Sequence, residues 1–494
     1  MRLVKPAIFG GLAVAALAGF VLTLRAVVHR GPRVRAVDSV NQAKTGKVSS
    51  PADLRIEAAE RAIEQHPHQA QSYNLLAAAY MQKARETNDF GFNSRAEAAL
   101  ARAFEVAPDD YDAGKLRTKL LLTYHRFREA LELAQSIQKI RPDDHDVYGA
   151  ITDAEVELGD YPSAIEAAQK MVDLRPDSSA YARVSYLRSL HGDTEGAIQA
   201  MAVAVKSADP NDAEGLAWCR VHLGDELMNA GKSDAAEGQY DKALLTFPEY
   251  PLALAAKARA RIRAGDQTRA VELYEQSQQR APLPDTAIAL GDLYARLSRS
   301  DEAQRQYELV EFIEQNSPAG GTYSRQLAIL WADHNVKLDQ ALTIAERERA
   351  TRQDVFTCDA LAWVLLKNNR LAAAKQYIAE ALRLGTRDAR IFYHAGMIYD
   401  AVGDKARAGK YLRLAIAINP TFDLLQADRA RQTLAAIDDL RPANIRLERK
   451  RLACHPQKQE PTGATGAIAL QSLTASATNV RERRKLRRQT LPQK

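Results

Sequence analysis

Between residues 70 and 420, small and apolar residues recur at positions i, i+4 and i+7. Examples are Ala96, Leu100 and Ala103; Ala236, Tyr240 and Ala243; and Ala408, Leu412 and Ala415. Such positions share one helix face, so the pattern predicts helices whose small residues let a second helix approach closely. Prolines set the boundaries. Pro108, Pro142, Pro176 and Pro210 are 34 residues apart, as are Pro248 and Pro282, and Pro284 and Pro318. Proline cannot continue a helix. Gly-Asp or Gly-Lys pairs ahead of many of the small-residue faces mark turns, where glycine accepts the left-handed conformation that ends a helix. A fixed period of this length is the signature of stacked supersecondary units, each burying its face only against its neighbours. The expected fold is all-α, a solenoid of about ten helix–turn–helix repeats. Half-repeat caps are expected at 52–66 and 421–440.

These positions resemble the tetratricopeptide repeat, which places an aromatic, Leu-Gly/Ala and Tyr on its first helix and Ala, aromatic, Ala and Pro on its second. One copy has Leu290, Gly291, Tyr294, Ala303 and Tyr307. Another has Leu223, Gly224, Leu227, Ala236, Tyr240, Ala243 and Pro248. A third has Phe392, Gly396, Tyr399, Ala408, Leu412, Ala415 and Pro420. The copy with Tyr73, Leu76, Ala77 and Tyr80 carries about seven extra residues near 85–93, expected in its inter-helix turn. Residues 111–142, 250–282 and 320–353 depart from the pattern and are assigned by register. The resemblance covers about residues 70–420. It implies a right-handed superhelix whose first helices line a concave groove, in which protein partners lie.

Mapped by register, the inward-facing positions are Asn74, Lys119, Asp153, Tyr186, Asp225, Arg259, Asp292, Arg325, Trp363 and Tyr393. A groove mixing acids, bases and aromatics suits an extended peptide, with aromatics as anchors and charges setting orientation. Any single charge on this list also fits a solvated surface position. Trp363 and Tyr393 are the expected anchors, although Trp363 falls in the packed core if the register shifts by one.

Charge and the two ends of the chain change this picture. Residues 1–50 carry eight Lys/Arg against one acid, and residues 441–494 thirteen against three. With a total of +6, residues 51–440 are left at −11. An acidic body is flanked by basic ends. Arg2 and Lys5 precede an apolar run, Ala7–Leu24, which Arg25, Arg30, Arg33 and Arg35 close. Residues 1–30 read as an uncleaved membrane anchor or a cleaved signal, with Ala16-Leu17-Ala18 as the candidate cleavage site. Basic residues after the run argue for a cytoplasmic body. The signal-like order argues for export, and the body is expected to be periplasmic or otherwise extracytoplasmic. Residues 31–50 lack periodicity and read as a flexible tether. The tail, 441–494, combines low hydrophobicity with basic clusters, the last reading RERRKLRR, and is expected to be disordered. It offers electrostatic contact with anionic lipid or nucleic acid.

Enzymatic signatures do not emerge. The chain has no phosphate loop, no His-Glu-x-x-His and no Gly-x-Ser-x-Gly. The recurring Gly-Asp pairs follow the structural period, as turns do and catalytic acids do not. Cys219, Cys358 and Cys454 are widely spaced, with no Cys-x-x-Cys. No catalytic, cofactor or metal site is expected, and no small-molecule substrate. The functional expectation is a non-enzymatic scaffold in a membrane- or envelope-associated complex, with an accessory role in polysaccharide or envelope secretion as the alternative.

Overall fold

The computed structural model describes residues 50–87, 89–316 and 324–439. The apolar N-terminal run, the tether up to residue 49 and the basic tail from 440 lie outside the described residues. Among the described residues there are 22 helices and no strands. No described helix is long and apolar enough to cross a membrane.

A single helix, α1 (Pro51–Gln65), opens the array. Ten hairpin pairs follow: α2 (Ala70–Thr87) with α3 (Gly91–Val106), α4 (Tyr111–Thr123) with α5 (Phe127–Ile140), α6 (His145–Leu158) with α7 (Tyr161–Leu174), and α8 (Ser178–Leu190) with α9 (Thr194–Ser207). The middle pairs are α10 (Ala213–Asn229) with α11 (Ser233–Thr246), α12 (Pro251–Arg263) with α13 (Gln267–Arg280), and α14 (Pro284–Arg296) with α15 (Ser300–Gln315). The last are α16 (Ser324–Asp333) with α17 (Leu338–Thr351), α18 (Val355–Lys367) with α19 (Leu371–Ala381), and α20 (Ala389–Ala401) with α21 (Lys405–Ile418). The final helix is α22 (Ala427–Asp439).

Local chemistry sets these boundaries. Asp110, Asp144, Asp160, Asp177, Asp193, Asp212, Asp266, Asp354, Asp388 and Asp404 each accept a hydrogen bond from a backbone N–H of the helix they precede. That satisfies one otherwise orphaned donor per helix. Inside the pairs, Gly159, Gly192, Gly231, Gly265 and Gly403 hold the inter-helix turn at φ between 75° and 83°. Small residues then close the pair: Ala77, Ala96 and Ala103, or Ala236 and Ala243, are almost wholly buried. The extra residues of the first pair do not form the long turn expected. They lengthen α2 to 18 residues and α3 to 16, where most other helices have 13 or 14.

First helices pack against the first helices of the next pair, as α4 does on α6 and α18 on α20, whereas among the described residues no two second helices come comparably close. The first helices therefore follow the inner, shorter track of the curve. The curl is tight enough for distant pairs to meet. Arg85 on α2 reaches Glu214 on α10 at 3.4 Å, and Arg296 on α14 reaches Asp428 on α22 at 2.6 Å.

Candidate functional site

The inner face differs between the two halves of the array. In the later pairs the chain covers it with its own C-terminal segment. Phe422 packs its ring 5.2 Å from that of Tyr393, the Tyr393 hydroxyl donates to Gln426 Oε1 at 2.8 Å, and Leu424 sits against the core around Leu254 and Leu290. Trp363 and Tyr393 are each 1% exposed. Trp363 Nε1 donates to Asp333 Oδ1 at 2.8 Å, and its ring stacks on His394 at 4.2 Å. These two aromatics are core, not the exposed anchors expected from register. Nearly every side chain of α18 and α20 is enclosed, so no groove face remains there.

Asn74 is also buried, 3% exposed, and its Nδ2 donates to Asp110 Oδ1 at 2.7 Å. It steadies the cap of the next pair's first helix rather than presenting an amide to solvent. Asp292 accepts from the Tyr307 hydroxyl at 2.9 Å and lies 3.5 Å from His334. Asp225 accepts from the Tyr240 hydroxyl and from Arg259, both at 2.9 Å, so two expected groove residues pair with each other across adjacent first helices. Lys119 is exposed beside Asp146, on a small pocket floored by Ala134, Ile137 and Val147. Partial loss of water there lowers its ammonium pKa.

Three of the expected residues come together. Asp153 and Tyr186 line a cavity of about 230 Å³ on the inner face of α4, α6 and α8, with Leu122, Phe127, Val156 and Leu187 as its apolar wall. Arg325, far along the chain, lies near Tyr186 and Glu157, and it donates to Asp354 at 3.4 Å and Thr357 at 3.3 Å. Tyr186 stays 43% exposed. Arg183 makes a forked contact with Asp153, at 2.8 and 2.5 Å, and fixes the carboxylate on the cavity rim.

Register did not single out His125, Glu157 and Arg183, which also line this cavity. Burial, reinforced by Arg352 and Arg325, lowers the His125 pKa to about 3, so its ring is neutral and accepts from Arg352 Nη2 at 2.6 Å. Burial and the nearby Asp354 raise Glu157 to about 7. One signal for His125 was legible. It occupies the turn position held by glycine in other pairs, at φ 57°, an uncommon conformation for a side chain of this size.

Asp144, His145 and Asp146 bring three candidate metal ligands together. Lys115 Nζ lies 2.7 Å from Asp144 and 3.2 Å from Asp146, so an ammonium already satisfies both carboxylates.

The described chain is thus an α-solenoid of stacked helix pairs with an open inner face in its earlier half. Two family profiles, each described as tetratricopeptide repeat, match it at residues 150–213 and 222–283 and at residues 389–422. Comparison with curated proteins found no significant match. Among solved structures, it is similar to a tetratricopeptide repeat protein from Parabacteroides merdae, at 17% identity and TM-score 0.32, covering 53% of this chain and 98% of that one. It is also similar to the APC/C hetero-tetramer Cut9–Hcn1, at 14% identity and TM-score 0.31, covering 77% and 92%. A third is the human IFIT1 dimer with PPP-AAAA, at 12% identity and TM-score 0.43, covering 75% and 96%.

Proposed function

We propose that this protein is a non-enzymatic scaffold that holds an extended segment of a partner protein along the inner face of α4, α6, α8, α10 and α12. The observation that carries this reading is the cavity beside Tyr186. It joins an apolar wall to a charged rim, and a half-exposed tyrosine stands at its edge. An aliphatic or aromatic side chain of the partner fills the cavity, while Asp153, Arg183 and the Asp225–Arg259 pair set its direction. The apolar run Ala7–Leu24, closed by four arginines, supports placing the scaffold in a membrane- or envelope-associated assembly.

The test is site-specific photocross-linking in the native host, with the cross-linking residue at position 186 or, as control, at Leu245, which is 83% exposed on a second helix. A discrete partner should be captured at 186 and not at 245. A peptide from the captured region should bind the purified chain and lose at least about tenfold in affinity on Tyr186→Ala. Equal capture at both positions would remove the inner face from consideration.

A further inference from the structure

Three successive inter-helix turns in the early array touch two later loops, at residues 352–355 and 385–386. The left-handed turn residues of the second, third and fourth pairs are His125, Gly159 and Gly192. His125 accepts from Arg352, whose guanidinium also lies over the Phe127 ring at 5.1 Å and 3.4 Å from Glu157. At the Gly159 turn, the Gln353 N–H donates to the Glu157 carbonyl at 2.7 Å and the Val355 N–H to the Tyr161 hydroxyl at 3.0 Å. At the Gly192 turn, the Thr386 hydroxyl donates to the Leu190 carbonyl at 2.5 Å. A Cβ on Gly159 would meet the Gln353 carbonyl oxygen at 2.7 Å, and one on Gly192 would meet the Gly385 oxygen at 2.5 Å. The corresponding turn glycines Gly231, Gly265 and Gly403 would meet nothing within 4 Å.

These contacts bridge 194 to 227 residues of sequence. They join polar contacts of loop backbone and a few side chains to the apolar packing of Val355, Phe356 and Leu384 on the early core, and those at His125 and Glu157 border the cavity beside Tyr186. The contact is made by loops, with no substantial packing of helix on helix between the early and later pairs among the described residues, and a loop docked in this way opens locally at lower cost than a packed helix pair unfolds. His125 carries a further mark. It holds a backbone conformation that glycine adopts more cheaply, and its side chain meets the later turn.

We propose that residues 352–355 and 385–386 form a releasable clasp on the turns at 125, 159 and 192, which holds the array closed on itself and limits the entry of a partner to the inner face. The gating half of this inference rests on the proposed binding role of that face. The clasp itself does not.

Hydrogen–deuterium exchange on the full-length chain separates the two. Gly192→Ala and Gly265→Ala impose the same left-handed strain, but only the first meets the later turn. Gly192→Ala should speed exchange in segments 352–356 and 385–387 by about tenfold, with Gly265→Ala leaving them unchanged. His125→Gly relaxes its own turn and should still speed exchange at 352–356. Should Gly192→Ala fail to fold, Thr386→Val removes the hydrogen bond to the Leu190 carbonyl at the same turn. Identical exchange in all variants overturns the clasp. Faster exchange without a rise in photocross-linking from position 186 overturns the gating and leaves the clasp standing. Loss of cross-linking at 186 in every variant, with the exchange pattern intact, instead refutes the binding role.

Discussion

A Cβ on Gly291 would lie 2.6 Å from Cε1 of Tyr307, so the tyrosine ring of one helix occupies the space that any side chain on the other would need. The ring is held there by its hydroxyl, which donates to Asp292 at 2.9 Å. Tyr240 stands in the same relation to Gly224 and Asp225, and Leu412 fills the same space at Gly396. Gly291→Ala and Gly224→Ala should each destabilise the array by about 1–3 kcal/mol through overpacking. Gly238 lies in α11 with open space around it, and Gly238→Ala should stabilise by about 0.5–1 kcal/mol. Urea denaturation followed by circular dichroism reads the opposite signs.

The later half contains a buried histidine–carboxyl hydrogen bond. His394 Nδ1 lies 2.9 Å from Asp359 Oδ2, both side chains are almost fully enclosed, and Trp363 stacks on the imidazole. His394→Ala leaves the buried Asp359 side chain without this partner and removes the ring under Trp363, and should cost about 3–5 kcal/mol. Replacing both partners with leucine should recover much of that loss. Tryptophan fluorescence during denaturation checks both.

Glu155 on α6 is buried, and its Oε2 has no hydrogen-bond partner. Burial first, then Asp160 and Glu166, raise its pKa from 4.5 to about 7. A carboxyl with a raised folded-state pKa favours folding when neutral, so its contribution is full below the unfolded value and lost as pH rises through 7. Glu155→Gln should therefore stabilise the protein at pH 8, by on the order of 1 kcal/mol. The gain should vanish at pH 5. Thermal melts at the two pH values measure the difference.

Helix capping differs from pair to pair. Asp404 accepts from the Arg407 N–H at 3.0 Å, whereas Arg370, at the equivalent position before α19, makes no side-chain cap bond. Asp404→Ala should cost about 1 kcal/mol, and Arg370→Asp should gain a comparable amount. The shift in denaturation midpoint is the readout.

The repeat register was legible because it is local. The glycine–aromatic packing of Gly224 with Tyr240 and of Gly291 with Tyr307 joins residues 16 apart, within one hairpin. The turn glycines and capping aspartates act within a single turn of helix. Register also placed Asp153, Tyr186 and Asp225 on the inner face, and it named Arg325, which approaches Tyr186 from 139 residues further along the chain. It failed at Asn74, Trp363 and Tyr393. Position within a repeat says which way a side chain leaves its helix, and says nothing of what another part of the chain lays over it.

The sequence by itself determined the all-α class and the period of the array, since backbone capping, turn conformation and face periodicity are all decided within about 34 residues. Only the tertiary structure decided how far the array curls. That curl brings Leu424 against the core around Leu290, sets Arg352 against His125, and leaves the cavity beside Tyr186 open. Curvature is the accumulated sum of small rotations between neighbouring pairs, and no single repeat carries a signal for where that sum brings two distant turns into contact.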